Sequence, residues 1–451
     1  MSIKILLAGA GVLLVAGAVP FCAWGQTGSA PSVTLHVEAD ATSATGAMEK
    51  LTEAFTRETG IGVAVEKFGY KASMQTAVED IGNKTGHFDV IVLNTEALAK
   101  FAPGGAIYSV DELEKLTGKK ADFEDDLYAE AWKNLSWYKG TRYGYPLAAN
   151  TMVVVYRKDL FEDPQERQAF QKRYGYTLGT PQDWKQYKDV AEFFTRPGQG
   201  LYGTLIEGKH HPAVWFEWLN FAFSFGGGVM EKERAWEYGP IIINSPQTIQ
   251  ATEFYSSLKQ FSPPGAENFT WEDAGEQMRA GHVAMCIMWS DAIFSVEDPK
   301  KSTVGGKVGF ARLPAGPAGR VAQIAGATYF VSRYAQHPKE AFVFELWMLG
   351  KDRQVQQELT GGSSPRKSVY LEKEVQTIPY APAIGENLGV VRAMIDAVPE
   401  TPLISDVIEG AVNDVVAGKK LAKQSLDEAA GELKGILGEK AVLKYPASTK
   451  N

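Results

Sequence analysis

The sequence offers few side chains that could form a disulfide bond or hold a transition metal. Its 451 residues include only two cysteines and six histidines. Cys22 lies in an apolar N-terminal segment that we expect to be removed, so Cys286 would have no partner within the chain. His210 and His211 are adjacent, and on a helix their side chains would diverge. We therefore expect no disulfide, no metal site and no cofactor.

The motifs of several enzyme classes are also missing. The sequence contains no H-E-x-x-H, paired C-x-x-C, G-x-S-x-G or G-x-x-x-x-G-K-[ST] pattern. Its net charge is −8 and no basic stripe stands out, which argues against a nucleic-acid partner. A glycosidase needs only two carboxyl groups at a defined separation, so an exported enzyme that acts on glycans stays open as an alternative.

What the sequence does contain begins with an N-terminal segment that has the features of an export signal. Lys4 supplies a positive charge, residues 5–21 are apolar, and small residues follow. The apolar run is short for a membrane-spanning helix. We predict a signal peptide over residues 1–25, with Ala30 as the alternative cleavage site. The residues before Cys22 are not the small ones that lipoprotein processing prefers, so a soluble periplasmic protein is predicted.

Strand and helix patterns alternate after this segment. Apolar residues predict strands at 33–37, 61–65 and 88–93, with helical spacing between them. This β-α-β-α-β order implies parallel strands joined by right-handed crossovers. Ligands of open α/β sheets bind beyond the carboxyl ends of the strands. Asn94 ends the third predicted strand, and we expect it at that edge.

The segment from Glu276 to Asp291 is the most informative stretch of the chain. It predicts a helix end, a turn at Gly281 and a strand over 283–288, whose nearly unbroken apolar run suits burial on both faces of a parallel-type sheet. A large ring, Trp289, and short polar side chains follow the strand. This combination suits a ligand site, and a buried strand with the tryptophan capping the core is the alternative.

The spacing M-x-x-G-x-x-A-M-x-x-x-W in this segment resembles that of the extracellular solute-binding proteins (family 1) that serve carbohydrate ABC transporters. Further motifs of that family have counterparts in the same order, and together they span nearly the whole mature chain. They are HFDVIVLN at 87–94, the crossing-strand motif at 144–161, a helix start at 180–184, and the segments 325–331, 339–344 and 361–368. Arg157 departs from the family's pattern, which has asparagine there.

The resemblance implies an α/β protein with the two-lobed periplasmic binding protein fold (type II-like), in which a hinge joins discontinuous domains. The N-terminal lobe would comprise residues 31–147 plus 290–333, and the C-terminal lobe residues 148–289 plus 334–451. The implied function is to capture a carbohydrate or polyol in the cleft between the lobes. The protein, expected to be a monomer, would deliver it to the permease subunits of an ABC transporter without making or breaking a bond.

We expect the ligand site to combine aromatic rings, which cover the apolar faces of a sugar, with polar side chains that pair its hydroxyl groups. A buried hydroxyl left unpaired costs about 1–3 kcal/mol, so the polar set would select the sugar. The resemblance contributes Asp40 and Thr42, because the family's first loop often contacts the ligand. The predicted ligand-binding residues are Asp40, Thr42, Tyr70, Asn94, His211, Trp215, Trp289, Ser290, Gly326, Ser363 and Arg366.

A second alternative concerns the charge of the ligand. If His211 and Arg366 both lie in the cleft, an anionic or phosphorylated solute is favoured, because both side chains can donate to anionic oxygens. Arg366 has a structural alternative, in which it ties the turn that contains it, and Gly326 has another, in which it forms a β-bulge.

Trp289 provides the first test of where the cleft lies. We predict that Trp289→Ala abolishes most ligand binding and leaves the fold largely intact, because the ring would cover one face of the ligand. Isothermal titration calorimetry with the cognate solute measures the affinity. An unchanged affinity would mean that the predicted cleft is misplaced.

Overall fold

The computed structural model describes residues 31–232, 234–393 and 397–445, and the predicted signal peptide, residues 1–25, lies outside the described residues. The strands in the described ranges are β1 (Val33–Asp40), β2 (Ile61–Phe68), β3 (Val90–Leu93), β4 (Trp137–Tyr138), β5 (Thr141–Arg142), β6 (Pro146–Asn150), β7 (Met152–Arg157), β8 (Met285–Trp289), β9 (Val308–Ala311), β10 (Ala322–Val331) and β11 (Val391–Ala393).

The α-helices in the same ranges alternate with these strands in the first part of the chain and dominate its second half. They are α1 (Ser43–Glu49), α2 (Thr52–Thr59), α3 (Tyr70–Asn83), α4 (Glu96–Phe101), α5 (Val110–Thr117), α6 (Ala129–Ser136), α7 (Lys158–Phe161), α8 (Pro164–Tyr174), α9 (Trp184–Phe194), α10 (Pro212–Ser224), α11 (Pro246–Ser257), α12 (Trp271–Ala280), α13 (Ser290–Glu297), α14 (Pro338–Met348), α15 (Lys351–Leu359), α16 (Lys373–Gln376), α17 (Ala381–Leu388), α18 (Thr401–Val416) and α19 (Ala422–Leu437).

The first sheet contains the predicted parallel strands. β1 pairs in parallel with β2, from Val33 opposite Ile61 to Asp40 opposite Phe68, and it also pairs in parallel with β3. The strand order is β11-β10-β3-β1-β2, and β6 pairs with β10 as well. β10 runs antiparallel to β3 and to β6. The prediction of three parallel strands with helical crossovers is therefore confirmed, and β1 and β3 end at the same edge.

The second sheet, in the order β8-β7-β9, is antiparallel throughout. β8 is fully buried, as its apolar run predicts, but the parallel-type sheet predicted for it is wrong. Alternate residues of β8 enter two different cores: Ile287 packs with α10, and Cys286 packs with α12. Burial on both faces explains the unbroken apolar run, and burial carries no information about strand direction.

Two segments pack with the sheet of one predicted lobe although their residue numbers fall in the range of the other. β9 falls in the predicted N-terminal range 290–333, yet it pairs with β7 of the second sheet. α14 falls in the predicted C-terminal range 334–451, yet Phe342 and Phe344 pack in one core with Leu35 of β1. β9 thus stays in the sheet of the preceding strand β8, and α14 packs in the same core as the preceding strand β10.

Helix α10 forms part of one wall of the cleft that is described below. It begins with His211 as N-cap and a proline at its first position, and all its residues from Ala213 to Ser224 are buried. Apart from Glu217, Asn220 and Ser224 these buried residues are apolar, and a helix that is mostly apolar around its circumference belongs inside a protein. Among the residues that the structure describes, no helix has both the length and the apolar character needed to cross a membrane.

Gly326 tests how tightly the strands pair beside the cleft. A Cβ atom at Gly326 would lie 2.1 Å from the carbonyl oxygen of Ala148 on β6. Gly326→Ala is therefore expected to lower the free energy of unfolding by about 1–3 kcal/mol, measured by urea denaturation.

A matched substitution lies on α19. Nothing approaches a Cβ at Gly431 within 4 Å, so Gly431→Ala should raise the free energy of unfolding by about 0.5–1 kcal/mol. If both substitutions stabilise the protein, β6 yields without strain and the close approach at Gly326 has no structural consequence.

Candidate functional site

A cleft of about 240 Å³ lies where the two sheets meet. The carboxyl ends of β1 and β3 and the start of α3 contribute one side, and α10, α12 and the end of β8 contribute the other. The lining consists of Asp40, Thr42, Ala44, Tyr70, Asn94, Ala148, Asn150, Phe216, Trp271, Trp289, Asp291, Ala292, Ala325, Gly326 and Ala327. The cleft therefore lies at the strand edge that the sequence predicts.

Aromatic rings form opposite walls of the cleft. The rings of Phe216 and Trp271 are nearly parallel, with an interplanar angle of 14° and centroids 6.3 Å apart. Trp289 stands edge-on to Phe216, with centroids 6.1 Å apart. On the other side Tyr70 is 38% exposed, and its hydroxyl accepts a hydrogen bond of 2.8 Å from the amide of Asn94. These rings present flat apolar faces to a bound molecule.

Asp40 is the most perturbed acid of the lining. Its side chain is 8% exposed, and its Oδ1 has no hydrogen-bond partner among the described residues. Burial raises the pKa of Asp40 to about 7; the charge of Glu96 adds to the rise, and a hydrogen bond from Ser73 opposes it. A buried acceptor without a donor is destabilising, so the Oδ1 atom of Asp40 can accept a hydrogen bond from a ligand.

A second acid, Asp291, faces the cleft from the start of α13. Burial raises its pKa, and hydrogen bonds from the backbone N–H groups of Asp291 and Ala292 oppose that rise. Asn150 lies between the two sheets and accepts a long hydrogen bond, 3.5 Å, from the hydroxyl of Ser290. The polar part of the lining is thus made of carboxyl, amide and hydroxyl groups.

An adjoining cavity of about 320 Å³ continues the cleft, and its lining includes three acids and one lysine. It shares Tyr70, Asn94 and Phe216 with the cleft, and Glu96 and Glu409 face it from opposite sides. Burial raises the pKa of Glu96, and the charge of Glu409 raises it further. The two carboxyl groups repel each other when both are ionised, so this end of the cleft favours a proton donor or a cation.

The structure places six of the predicted ligand-binding residues in the lining. They are Asp40, Thr42, Tyr70, Asn94, Trp289 and Gly326. Thr42 also caps α1, because its hydroxyl accepts a hydrogen bond from the Thr45 N–H. Gly326 approaches the backbone of β6, and the pairing of β10 with β6 shifts register one residue later.

Two further predicted residues lie beneath the lining. Ser290 and Ser363 are 4% and 1% exposed, and their hydroxyl oxygens are 3.3 Å apart. The Ser363 hydroxyl donates to the carbonyl oxygen of Ala149, and the Thr151 N–H donates to the Ser290 oxygen at 3.4 Å. Both hydroxyl groups therefore join chain segments and do not face the cleft.

The other three predicted residues are not part of the lining. Arg366 pairs with Asp126 at 2.7 Å and donates to the Leu349 carbonyl, which matches its structural alternative. Trp215 is 3% exposed and belongs to the core of the second sheet. The ring of His211 caps α10 and packs edge-on against Trp271, with centroids 4.7 Å apart. Burial lowers the pKa of His211.

Besides five alanines, four larger side chains of the lining are absent from the sequence prediction. They are Asn150, Phe216, Trp271 and Asp291. Asp291 directly follows the predicted Trp289 and Ser290, so the same strand-end argument could have included it. Phe216 and Trp271 lie on helices, where the spacing of aromatic residues predicts a core position equally well.

Comparisons with known proteins found a matching family and several similar proteins. Residues 50–383 match the family described as bacterial extracellular solute-binding protein. A probable ABC transporter-binding protein of Deinococcus radiodurans is 25% identical over 303 residues, 65% of this chain and 68% of that protein. A mannitol-binding protein of Pseudomonas aeruginosa is 29% identical over 249 residues, 53% of this chain and about half, 51%, of that protein.

Among solved structures, the chain is similar to an ABC transporter solute-binding protein of Agrobacterium radiobacter K84 in complex with ribitol. The TM-score is 0.75 at 26% identity, and the match covers 90% of this chain and 99% of that one. The two-lobed fold expected from the sequence is therefore confirmed.

The raised pKa of Asp40 predicts how stability depends on pH. Because the folded protein holds this proton up to about pH 7 and the unfolded chain releases it near 3.8, the carboxyl lowers stability as pH rises between these values. Asp40→Asn removes the ionisable group. At pH 8 the variant is therefore expected to be more stable than the parent, by at most about 4 kcal/mol.

Urea denaturation at pH 5 and pH 8 measures this difference. The exposed Asp122 supplies the control, and Asp122→Asn should leave the pH dependence as it is. A pH dependence of Asp40→Asn that equals that of the parent would show that Asp40 is ionised without penalty.

Proposed function

The chain belongs to the bacterial extracellular solute-binding proteins, and we propose that it binds a neutral polyol or small sugar in the cleft between its two sheets. The observation that carries this proposal is the combination of flat rings with a buried carboxyl group, that of Asp40, whose Oδ1 has no donor among the described residues. Carboxylates only accept hydrogen bonds, and the hydroxyl groups of a polyol donate them. Asp40 and Asp291 would hold hydroxyl groups, while Trp271 and Trp289 would cover C–H faces.

The charge of the lining favours a neutral ligand over an anionic or phosphorylated one. None of the described residues that line the cleft is a lysine or an arginine. Arg366, whose presence in the cleft together with His211 would favour an anionic ligand, is held by Asp126. Lys71 lies in the adjoining cavity beside Glu409. An anion in the cleft would therefore meet carboxyl groups without a compensating positive charge.

Closure of the lobes is part of the proposal. One lobe would contain the first sheet with α14, and the other the second sheet with β9 and α10. A ligand that shifts such a hinge from 1:99 to 99:1 must prefer the closed state by about 5.5 kcal/mol. Micromolar affinity is worth about 8 kcal/mol, so a ligand that touches Asp40 on one side and Trp271 on the other supplies enough.

Transport follows from the same proposal. The protein would be exported to the periplasm as a soluble monomer and would deliver its ligand to the permease subunits of an ABC transporter. It would release that ligand chemically unchanged. The mannitol-binding and ribitol-bound relatives support a polyol as the first ligand to test.

A thermal-shift screen tests the proposal. The purified protein is heated with polyols, neutral sugars and their acidic or phosphorylated forms, without added metal. A ligand at 100-fold over its dissociation constant adds about 2.7 kcal/mol to the free energy of unfolding, so the melting temperature rises. We expect the rise with a neutral polyol or sugar, which is then recovered unaltered. A rise with phosphorylated compounds alone, or consumption of the compound, contradicts the proposal.

Two tryptophan variants locate the binding site. Trp271→Ala is expected to weaken binding of the compound found in the screen by at least about tenfold, because it removes one ring of the wall. Trp347→Ala removes a tryptophan that bonds Glu58 away from the cleft, and its affinity should equal that of the parent. Equal affinities for both variants would place the ligand elsewhere.

A further inference from the structure

Three ligating side chains meet on the face of the first sheet that α3 covers, apart from the cleft. His36 lies in β1, Glu66 lies in β2, and His87 lies in the loop before β3. One ligand atom from each residue lies within 4.8 Å of the other two. The residues come from three separate segments, so their meeting depends on the pairing of β1 with β2.

The distances suit a shared ion. His87 Nε2 is 2.9 Å from Glu66 Oε1, and His36 Nδ1 is 3.9 Å from the same oxygen. Ligand atoms on a tetrahedral Zn²⁺ with bonds of about 2.0–2.2 Å lie about 3.3–3.6 Å apart. The three side chains are partly exposed, so small rotations would bring their atoms to these separations.

A hydrogen bond explains only part of the cluster. It accounts for His87 and Glu66, but His36 Nδ1 has almost no exposed surface and has no hydrogen-bond partner among the described residues. The rings of His36 and His87 lie close, with centroids 5.1 Å apart and an interplanar angle of 40°. Two imidazoles directed at one carboxylate, with one nitrogen unsatisfied, are an arrangement that a metal ion completes.

We propose that His36, Glu66 and His87 form a binding site for a divalent transition metal, with Zn²⁺ as its ion. Imidazole nitrogens favour this class of metal over Mg²⁺ and Ca²⁺, which prefer oxygen ligands. Three protein ligands leave a fourth position for water.

The ion would act on the edge of the sheet. In the described strand order β2 is terminal and pairs with β1, so its other edge carries no strand. A metal bound to Glu66 would tie β2 to β1 through His36 and to the loop before β3 through His87. Asp40 lies four residues beyond His36 on the same strand, about 13 Å away, so the ion would stabilise the sheet without entering the cleft.

Calorimetric titration of the untagged protein with ZnCl₂ tests the site. We expect one saturable Zn²⁺ site per chain and a higher melting temperature with the metal, because the ion binds the folded state. His36→Gln and His87→Gln should each weaken Zn²⁺ binding by at least about tenfold. Glu66→Gln keeps the shape of its side chain, so a loss of affinity there would not come from lost packing.

His210 supplies the matched control. Its Nε2 lies 3.1 Å from Asp406, so it is also a partly exposed histidine beside a carboxylate, but it lies outside the three-residue cluster. His210→Gln should bind Zn²⁺ like the parent. The absence of saturable binding to the parent, or equal losses in His87→Gln and His210→Gln, would overturn the proposal. Binding of a polyol is measured in parallel, and it should not depend on Zn²⁺.

Discussion

The architecture depends on a set of hydrogen bonds at the point where the chain passes between the sheets. Thr151 separates β6 of the first sheet from β7 of the second, and it is fully buried. The Ser290 N–H donates to the Thr151 carbonyl at 2.9 Å, and the Thr151 N–H donates to the Ser290 hydroxyl. Ser363 bonds Ala149 through both its carbonyl and its hydroxyl. Because these groups are buried, breaking one bond would leave a donor or an acceptor unpaired.

This junction also positions the cleft. Asn150 precedes Thr151, Trp289 precedes Ser290, and Asp291 follows it, so three lining residues are neighbours of bonded backbone groups. Their positions are fixed by the segments that connect the two sheets. The walls that are farther from the junction, Tyr70 and Trp271, belong to helices of different sheets.

Patterns within short stretches of the sequence predicted the strands and helices that those stretches form. The alternation of strands and helices predicted β1, β2 and β3, and the strand-end argument predicted the positions of Asn94 and Trp289, which line the cleft. Pairings over long distances were not predictable. Arg366 has a fork of donors that suits a ligand, but its partner Asp126 is 240 residues away in sequence.

Residue type alone leaves some roles open. A serine suits a ligand hydroxyl and a buried backbone group equally well, so the sequence could not separate Ser290 and Ser363, which join segments, from residues that face the cleft. The cluster of His36, Glu66 and His87 was not predicted from the sequence, for a different reason. Its spacing matches no short motif, and it arises from the register of β1 against β2.

Stability and selectivity are linked in the cleft through Asp40. Its buried carboxyl lowers the stability of the protein without ligand, because its Oδ1 has no donor among the described residues. A ligand hydroxyl that donates to this oxygen removes the penalty, and a compound of the same shape without that hydroxyl does not. Sites that require a hydrogen bond can reject such an analogue by about 10⁴-fold or more, whereas apolar contact alone discriminates about 10–200-fold. Under the proposed function, the aromatic walls would therefore contribute affinity for many polyols and sugars, while the unsatisfied carboxyl would determine which of them binds.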